Sequence, residues 1–437
     1  MNYSKCLISI IILFSSACQS ETVSFRNSSE KPDKDFQLKA KISINTQSLK
    51  TQPIYIRIED LPQPFTTNSA SKPPQVIPIP SQPILQVPDG FKINVFADNL
   101  DRPRWLALTP NGEVLVTETR QNQIRLLKDI NKDGVADDYQ TFATAENGLD
   151  IPFGMAFTDE YFFLGNHNSV RRYPYQKAQE NLEGKGDVIA KLPGGGYRQH
   201  WTRNVIISPD KNKLYVSIGS KTNADVEKLP RASVQIMNLD GSNQETFAAG
   251  LRNPVGLDFQ PITQELYTTV NERDGLGDDL VPDYFTRLQK GEFYGWPFAY
   301  LTPKLLDPRQ VKNGQSLNPE LAAKTQTPDV LFQAHSAALG LKFYTGKTFP
   351  KKYQNGAFVA FRGSWNRNKG TGYKLVFIPF NKTHRPLGYY EDFVIGFLAD
   401  SSIPSTWGRP VGLLVLPDGS LLFTEEANGR IYRIQYE

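Results

Sequence analysis

A short pattern recurs along most of this chain. Each copy has a small or polar entry, an alternating run, a Pro/Asp/Gly turn and a second run rich in β-branched or aromatic residues. Anchors fall at Pro103, Pro152, Arg203, Pro254, Ala338 and Pro410, separated by 49, 51, 51, 84 and 72 residues. Pro152-Phe153-Gly154, Pro254-Val255-Gly256 and Pro410-Val411-Gly412 repeat one motif, while Pro110-Asn111-Gly112 and Pro417-Asp418-Gly419 supply turns. Alternation over a few residues, bounded by such turns, signals strands joined by hairpins. A period near 50 residues built from short strands marks a β-propeller. The expected fold is therefore all-β, a six-bladed β-propeller of four-stranded antiparallel blades over residues 88–437. Phe91–Phe96 precedes the first copy and Arg430–Tyr436 ends the last. Pairing the two in one blade closes the ring and removes two open edges.

Charge and cysteine content narrow the function. The 437 residues carry 49 Lys+Arg against 45 Asp+Glu, a net charge of +4 with no basic run, which excludes a nucleic-acid footprint. The two cysteines, Cys6 and Cys18, precede the repeats. The body therefore has no disulfide framework, no Cys-based zinc site and no thiol chemistry. Lys5 followed by the apolar run Leu7–Phe14 and by Ser15-Ser16-Ala17-Cys18 reads as a lipoprotein-type signal peptide over residues 1–18, with Cys18 lipidated. An ordinary signal peptide cut nearby is the alternative. Gln19 rather than Asp follows Cys18, so the expected address is the periplasmic side of a bacterial outer membrane, held by lipid alone, or the periplasm itself. Residues 19–87 read as a Pro/Ser-rich tether, with ten prolines from Pro32 to Pro88. Alternation within Lys39–Asp60 allows a strand or two there.

The repeat also selects a face. A residue just before the first strand of a blade and one just after the second lie at the same end of a propeller. The first class includes Asn147, His200, Arg203, Arg252, Asn253, His335 and Arg409. The second includes Ser220, Asn223, Glu272, Arg273, Asp274, Arg362, Trp365 and Glu425. Solvated loops would also be polar, but six copies share this phase. A mouth of Arg, Asn and His with Trp365 and Trp201 beside it suits a planar, anionic, hydrogen-bonding ligand. Of the four histidines, His200 has the strongest context, after Gly194-Gly195-Gly196 and before Arg203-Asn204. A neutral imidazole near pH 7 can take a proton from a hydroxyl.

Several stretches together carry a family resemblance. They are Gly196–Asn204, Leu214–Ser220, Gly250–Gly256, Val270–Asp279, Tyr294–Pro297, Phe361–Arg367 and Gly408–Gly412. In this order they resemble the glucose/sorbosone dehydrogenase family, and within it the L-sorbosone dehydrogenase branch, over about Val87–Glu437. The resemblance implies a six-bladed propeller that uses pyrroloquinoline quinone and Ca²⁺ to oxidise a sugar or sugar aldehyde, passing electrons to an external acceptor. It makes His200 the general base. It places Arg252, Asn253, Arg362 and Arg409 around the quinone, and the mouth residues Trp365, Asn147 and Asn223 are expected to bind it as well. It aligns Arg273 and Asp274 with a segment whose backbone carbonyls ligate the catalytic Ca²⁺. The glucose-oxidising members carry an Asp where this chain has Ser220, which leaves His200 without an obvious carboxylate partner. Asn223 and Glu272 are the candidates to replace it.

A second calcium signal stands apart from the mouth. Asp129, Asn131, Asp133 and Asp137 alternate around Gly134 as in a Ca²⁺-binding loop. Gln140 occupies the place of the bidentate Glu, so flanking helices are not expected. The competing functional reading is a non-redox propeller, either a Ca²⁺-dependent lactone hydrolase or a carbohydrate-binding surface.

Overall fold

The hairpins announced by the turn motifs pair in chain order. A computed structural model describes residues 42–195 and 200–437. The signal peptide with Cys18, and Gly196–Gln199 of the His200 motif, lie outside the described residues. Among the described residues, strands dominate and the one α-helix is Pro319–Ala323. Five sheets have four antiparallel strands each, within residues 106–143, 155–191, 205–249, 254–331 and 338–394. A sixth sheet runs Ile84–Val87, Ser43–Ser48, Phe91–Ala97, Arg430–Tyr436, Leu421–Glu425, Pro410–Val415. In it Phe91–Ala97 pairs antiparallel with Arg430–Tyr436, joining the front of the repeats to the last strand.

The first strand of each sheet touches the first strand of the next. Leu106–Leu108, Met155–Phe157, Val205–Ile207, Pro254–Phe259, Ala338–Phe343 and Pro410–Val415 follow one another, and the last returns to the first. This nearly all-β arrangement is compatible with a β-propeller. Trp105, Phe153, Val255, Leu339 and Val411 form one buried cluster with Trp201 against it. Each comes from the entry of a different repeat, so apolar side chains fill the space where the entries converge.

The recurring glycines have a steric cause there. A Cβ on Gly340 would lie 2.2 Å from the Val411 carbonyl, and one on Gly412 would lie 2.3 Å from the Arg104 carbonyl. Bulges at Pro254/Leu257, Ala338/Leu341 and Pro410/Leu413 break the ladder at these entries. A hydroxyl on the neighbouring strand then serves the displaced backbone. Thr424 Oγ1 accepts from Gly412 N (2.7 Å) and donates to the Arg104 carbonyl (2.7 Å) of the next sheet. Thr269 Oγ1 likewise accepts from Gly256 N (2.9 Å) and donates to the Leu339 carbonyl (2.7 Å).

The expected tether is not free chain. From residue 42 onward it belongs to the same compact unit as the repeats. Ser43–Ser48 pairs in parallel with Ile84–Val87 and antiparallel with Phe91–Ala97. The intervening stretch is proline-rich and partly extended, with a short 3-10 turn at Ile58–Asp60, and several of its backbone groups find partners on the body. Ile54 pairs with Tyr390, and Gln75–Val76 pairs with Ser405–Thr406. The folded body therefore begins by residue 42, rather than at 88.

The seam yields a prediction. Gly340→Ala forces a methyl against a backbone oxygen that cannot rotate away, and should cost about 1–3 kcal/mol in urea denaturation. An unchanged midpoint would show that the strands can part at the axis.

Candidate functional site

His200 sits at the entry to the third sheet and is buried. Its Nδ1 lies 2.9 Å from Ser220 Oγ and 3.1 Å from the Ser220 carbonyl. A carbonyl only accepts, so Nδ1 carries the proton and Nε2 the lone pair. Ser220 Oγ donates in turn to the Thr222 carbonyl at 2.6 Å, which leaves its own lone pair for the imidazole. Burial first, then the nearby Arg252, push the His200 pKa well below 6.5. The ring is therefore held neutral, with Ser220 fixing its tautomer. Ser220 itself supplies the orientation that Asn223 and Glu272 were expected to give, because both of those side chains are engaged elsewhere.

Arg252 is the centre of an adjacent network. It donates to Asn223 Oδ1 (2.8 Å), to Asp274 Oδ2 (2.8 Å) and to the Glu272 carbonyl (2.5 Å). Asn366 Nδ2 bridges Asp274 Oδ1 (2.5 Å) and His335 Nδ1 (3.0 Å), and His335 Nε2 donates to the Gly277 carbonyl (2.9 Å). Asn253 lies against Gly219, where an added Cβ would meet its Oδ1 at 2.4 Å and His200 Cβ at 3.0 Å. That Oδ1 is buried without a hydrogen-bond partner. An orphaned acceptor beside His200 is a place for a donor on a ligand.

Arg273 and Asp274 are held by protein partners. Arg273 forms an ion pair with Asp307, its Nη1 donating to both carboxylate oxygens at 3.0 Å. The Asp274 carbonyl accepts from Asn223 Nδ2 (2.8 Å) and Arg273 Nε (3.1 Å). As arranged, that carbonyl does not suit a calcium ion, since N–H donors occupy its lone pairs. Glu272 Oε2 accepts from Arg273 N at 3.0 Å while Oε1 is buried and unpartnered. Burial raises the pKa of this carboxyl to about 8.

A third cluster was not legible from the repeats. Glu426, buried at the end of Leu421–Glu425, pairs with Arg104 through one oxygen and with Arg362 through the other. Arg409 stands beside them, donating to the Arg362 carbonyl (3.3 Å) and the Gly363 carbonyl (3.2 Å). Burial pushes the Glu426 carboxyl up, but Arg104, Arg362 and Arg409 together hold it well below the usual range. Burial and Arg362 lower Arg409 to about 9. Three guanidinium groups thus share one carboxylate, and the Arg362 side chain is partly open to solvent. The excess of positive charge suits an anionic ligand.

Other expected residues fall elsewhere. The Asn147 amide is consumed in an outer loop: its Nδ2 donates to the Leu182 carbonyl (3.1 Å) and the Gly184 carbonyl (2.9 Å), and its Oδ1 accepts from Thr144 N (3.0 Å). Trp365 is half-buried, with its carbonyl taken by Lys72 N at 2.7 Å. Asp129, Asn131, Asp133 and Asp137 do form a hairpin loop between Gln123–Lys128 and Asp138–Ala143. Their oxygens accept backbone N–H groups, as in Asp129 Oδ2 from Gly134 N (2.8 Å) and Asp137 Oδ2 from Ile130 N (2.9 Å). Among the described residues, no three His, Cys, Asp or Glu side chains gather as a metal-ligand set.

The site can now be set beside known proteins. A profile of the TrAA12-like family matches residues 85–282 and 287–437. The chain belongs to the TrAA12-like family. An uncharacterised protein of Borreliella burgdorferi is 30% identical over 366 residues, covering 81% of this chain and 91% of that protein. A pyrroloquinoline quinone-dependent pyranose dehydrogenase of Coprinopsis cinerea is 24% identical over 416 residues, covering 80% of this chain and 54% of its own length. Among solved structures, an AA12 carbohydrate-active enzyme of Trichoderma reesei superposes with a TM-score of 0.70 at 19% identity, over 83% of this chain and 99% of that one. That likeness shows the shared fold.

The Glu426 cluster carries its own prediction. Glu426→Gln leaves buried guanidinium groups unpaired and should cost about 3–5 kcal/mol by urea denaturation at pH 7. The sign with pH follows from the depressed folded pKa. The stabilisation is complete above the ordinary glutamate value of 4.5 and is lost as pH falls below it. Wild type should therefore lose stability on acidification, and the variant should lose less.

Proposed function

We propose that this TrAA12-like chain is a six-bladed β-propeller oxidoreductase that oxidises a sugar or sugar aldehyde with pyrroloquinoline quinone as acceptor. The observation that carries this reading is His200, a buried neutral imidazole tied through Nδ1 to Ser220, beside a mouth with more guanidinium than carboxylate. The quinone-dependent dehydrogenases among the relatives support it. The L-sorbosone branch belongs to this proposal on motif resemblance alone.

The residues present fit an anionic quinone. Arg362 and Arg409 would hold its carboxylates, because Glu426 balances only part of their charge together with Arg104. Asn253 Oδ1 would accept a donor from the ligand. When bound, the quinone supplies a two-electron acceptor. His200 takes the proton of the substrate hydroxyl on Nε2, while Nδ1–H stays anchored on Ser220. Arg252, clamped by Asn223 and Asp274, keeps a positive charge near the base and disfavours premature protonation. The buried side chains of Trp105 and Phe153, with half-buried Trp201 against them, make an apolar surface next to the His200 entry that would disfavour water there.

Calcium at Arg273–Asp274 would require Asn223 and Arg273 to leave the Asp274 carbonyl, so no step here depends on it. Export with a lipid on Cys18 belongs to the same proposal, and mass spectrometry of the mature N-terminus reads it directly.

The decisive experiment is reconstitution of purified protein with pyrroloquinoline quinone, with and without Ca²⁺, against a panel of aldoses and sorbosone. Dye reduction by at least one sugar is expected. Absence of both quinone binding and dye reduction defeats the reading. His200→Ala should lower kcat/KM by about 10²–10⁴-fold, and full activity in that variant would remove His200 as the base. Because burial, the largest cause of the lowered His200 pKa, persists with the quinone bound, the acid limb of kcat/KM should fall under pH 6.5. A limb at or above 6.5 would point to another group.

A further inference from the structure

Residues 63–77 lie outside the segments matched to the family, which begin at residue 85. They nevertheless cross three of the mouth-side loops in succession. Phe65 N donates to the Leu276 carbonyl (2.8 Å), and Thr67 Oγ1 accepts from Asp278 N (2.7 Å). Gly277 packs so closely on Thr67 that an added Cβ would sit 2.8 Å from its Oγ1. Further along, Lys72 N donates to the Trp365 carbonyl (2.7 Å), and its ammonium donates to the carbonyls of Asn368 (3.0 Å) and Ser402 (3.4 Å). Gln75–Val76 then pairs in parallel with Ser405–Thr406, and the Ile77 carbonyl accepts from Asn428 Nδ2 at 3.1 Å.

Two of those loops contribute residues to the site. Residues 271–279 carry Asp274 to Arg252 and the Gly277 carbonyl to His335. Residues 362–368 carry Arg362 to Glu426, and Asn366 to both Asp274 and His335. The pairing at Ser405–Thr406 lies just ahead of Arg409. Proline makes the segment a suitable fastener. Pro64, Pro73 and Pro74 pre-set an extended backbone and bring no N–H that needs a partner. Less conformational freedom is then lost when the segment docks.

We propose that residues 63–77 form a strap that positions the site, with Thr67 and Lys72 as its two clasps. Thr67 fixes the 272–279 loop and Lys72 fixes the 364–369 loop. Together they hold Asp274 and Asn366 in the geometry that locks Arg252 and His335. The inference rests on the quinone-dehydrogenase reading for the identity of the ligand, but not for the mechanical coupling between strap and loops.

The test uses the full chain carrying Thr67→Val with Lys72→Met. Thr67→Ser keeps the hydroxyl and serves as the conservative rescue. Thr51→Val removes the acceptor of Lys352 Nζ (3.1 Å), a contact of the same N-terminal segment made outside those mouth loops, and serves as the control. Readouts are the Kd of pyrroloquinoline quinone from quenching of tryptophan fluorescence, the separate KM and kcat for an active sugar, the melting temperature, and hydrogen exchange of peptides covering 272–279 and 364–369. The double variant should raise Kd and KM about tenfold, speed exchange in both peptides and move the melting temperature by no more than about 2 °C. Thr67→Ser and Thr51→Val should behave as wild type. Wild-type Kd and KM in the double variant overturn the inference while leaving the function intact. If wild type binds no quinone, the functional reading fails by itself and exchange decides: faster exchange in both peptides supports the strap, and unchanged exchange overturns it.

Discussion

The close approach of the first strands at the centre is the constraint on which the rest of the structure depends. At Gly256 and Gly412 the neighbouring sheet's carbonyl lies where a Cβ would be. The ladder there is interrupted by a bulge, which leaves a backbone N–H needing an acceptor. Thr269 and Thr424 satisfy that N–H and, with the same oxygen, donate across to the next sheet. One hydroxyl therefore settles two backbone groups, each of which would cost about 1–3 kcal/mol if buried alone. The same bulges turn the chain just where the mouth residues stand. Asn253 and Arg409 immediately precede the bulged prolines, so the steric solution at the axis also sets the direction of the site.

The second consequence is electrostatic. Crowded entries bring guanidinium groups together, and around His200 two of them meet carbonyls rather than carboxylates. Arg203 is buried against the carbonyls of His200 (3.0 Å), Thr202 (2.7 Å) and Pro193 (2.9 Å), and Arg231 donates to those of Gly194 (3.1 Å) and Gly195 (2.8 Å). Backbone oxygens solvate these cations without cancelling them. His200 sits in the resulting positive field, and burial together with that field keeps it neutral. In the proposed reading, an anion-binding mouth and a neutral base would be two effects of one charge distribution.

Sequence reasoning reaches the parts of this design that repeat. The turn dipeptides, the anchor glycines and the pairing of Phe91–Ala97 with Arg430–Tyr436 follow from local chemistry and edge closure. His200, Arg252 and Asn253 are legible because they share a phase with their counterparts in other repeats. Partners formed across the ring are not. Glu426 follows Glu425 directly, yet Glu425 accepts the Arg409 N–H at 2.9 Å while Glu426 reaches Arg104, 322 residues away. No local pattern separates two adjacent glutamates with such different roles. Asn147 has the right phase but the wrong neighbours, since Thr144 draws its side chain into a helix cap. The proline-rich segment declares its conformation through composition, whereas its docking site depends on loops whose positions only the closed ring defines.

Ser220 shows how a single neutral substitution sits within that charge distribution. A carboxylate at this place would orient the imidazole and also stabilise its protonated form. Serine supplies the orientation alone, with its own proton directed to the Thr222 carbonyl. The imidazole is then held in the correct tautomer but is a weaker base, because Arg252, Arg203 and Arg231 all disfavour its cation. A negatively charged ligand in the mouth would offset part of that field. In the reading proposed here, basicity at His200 is therefore linked to occupancy of the arginine-rich mouth, and the base strengthens only when the ligand that receives the electrons is in place. Replacing serine by aspartate would loosen that link, since the imidazolium would then be stabilised whether or not the mouth is filled.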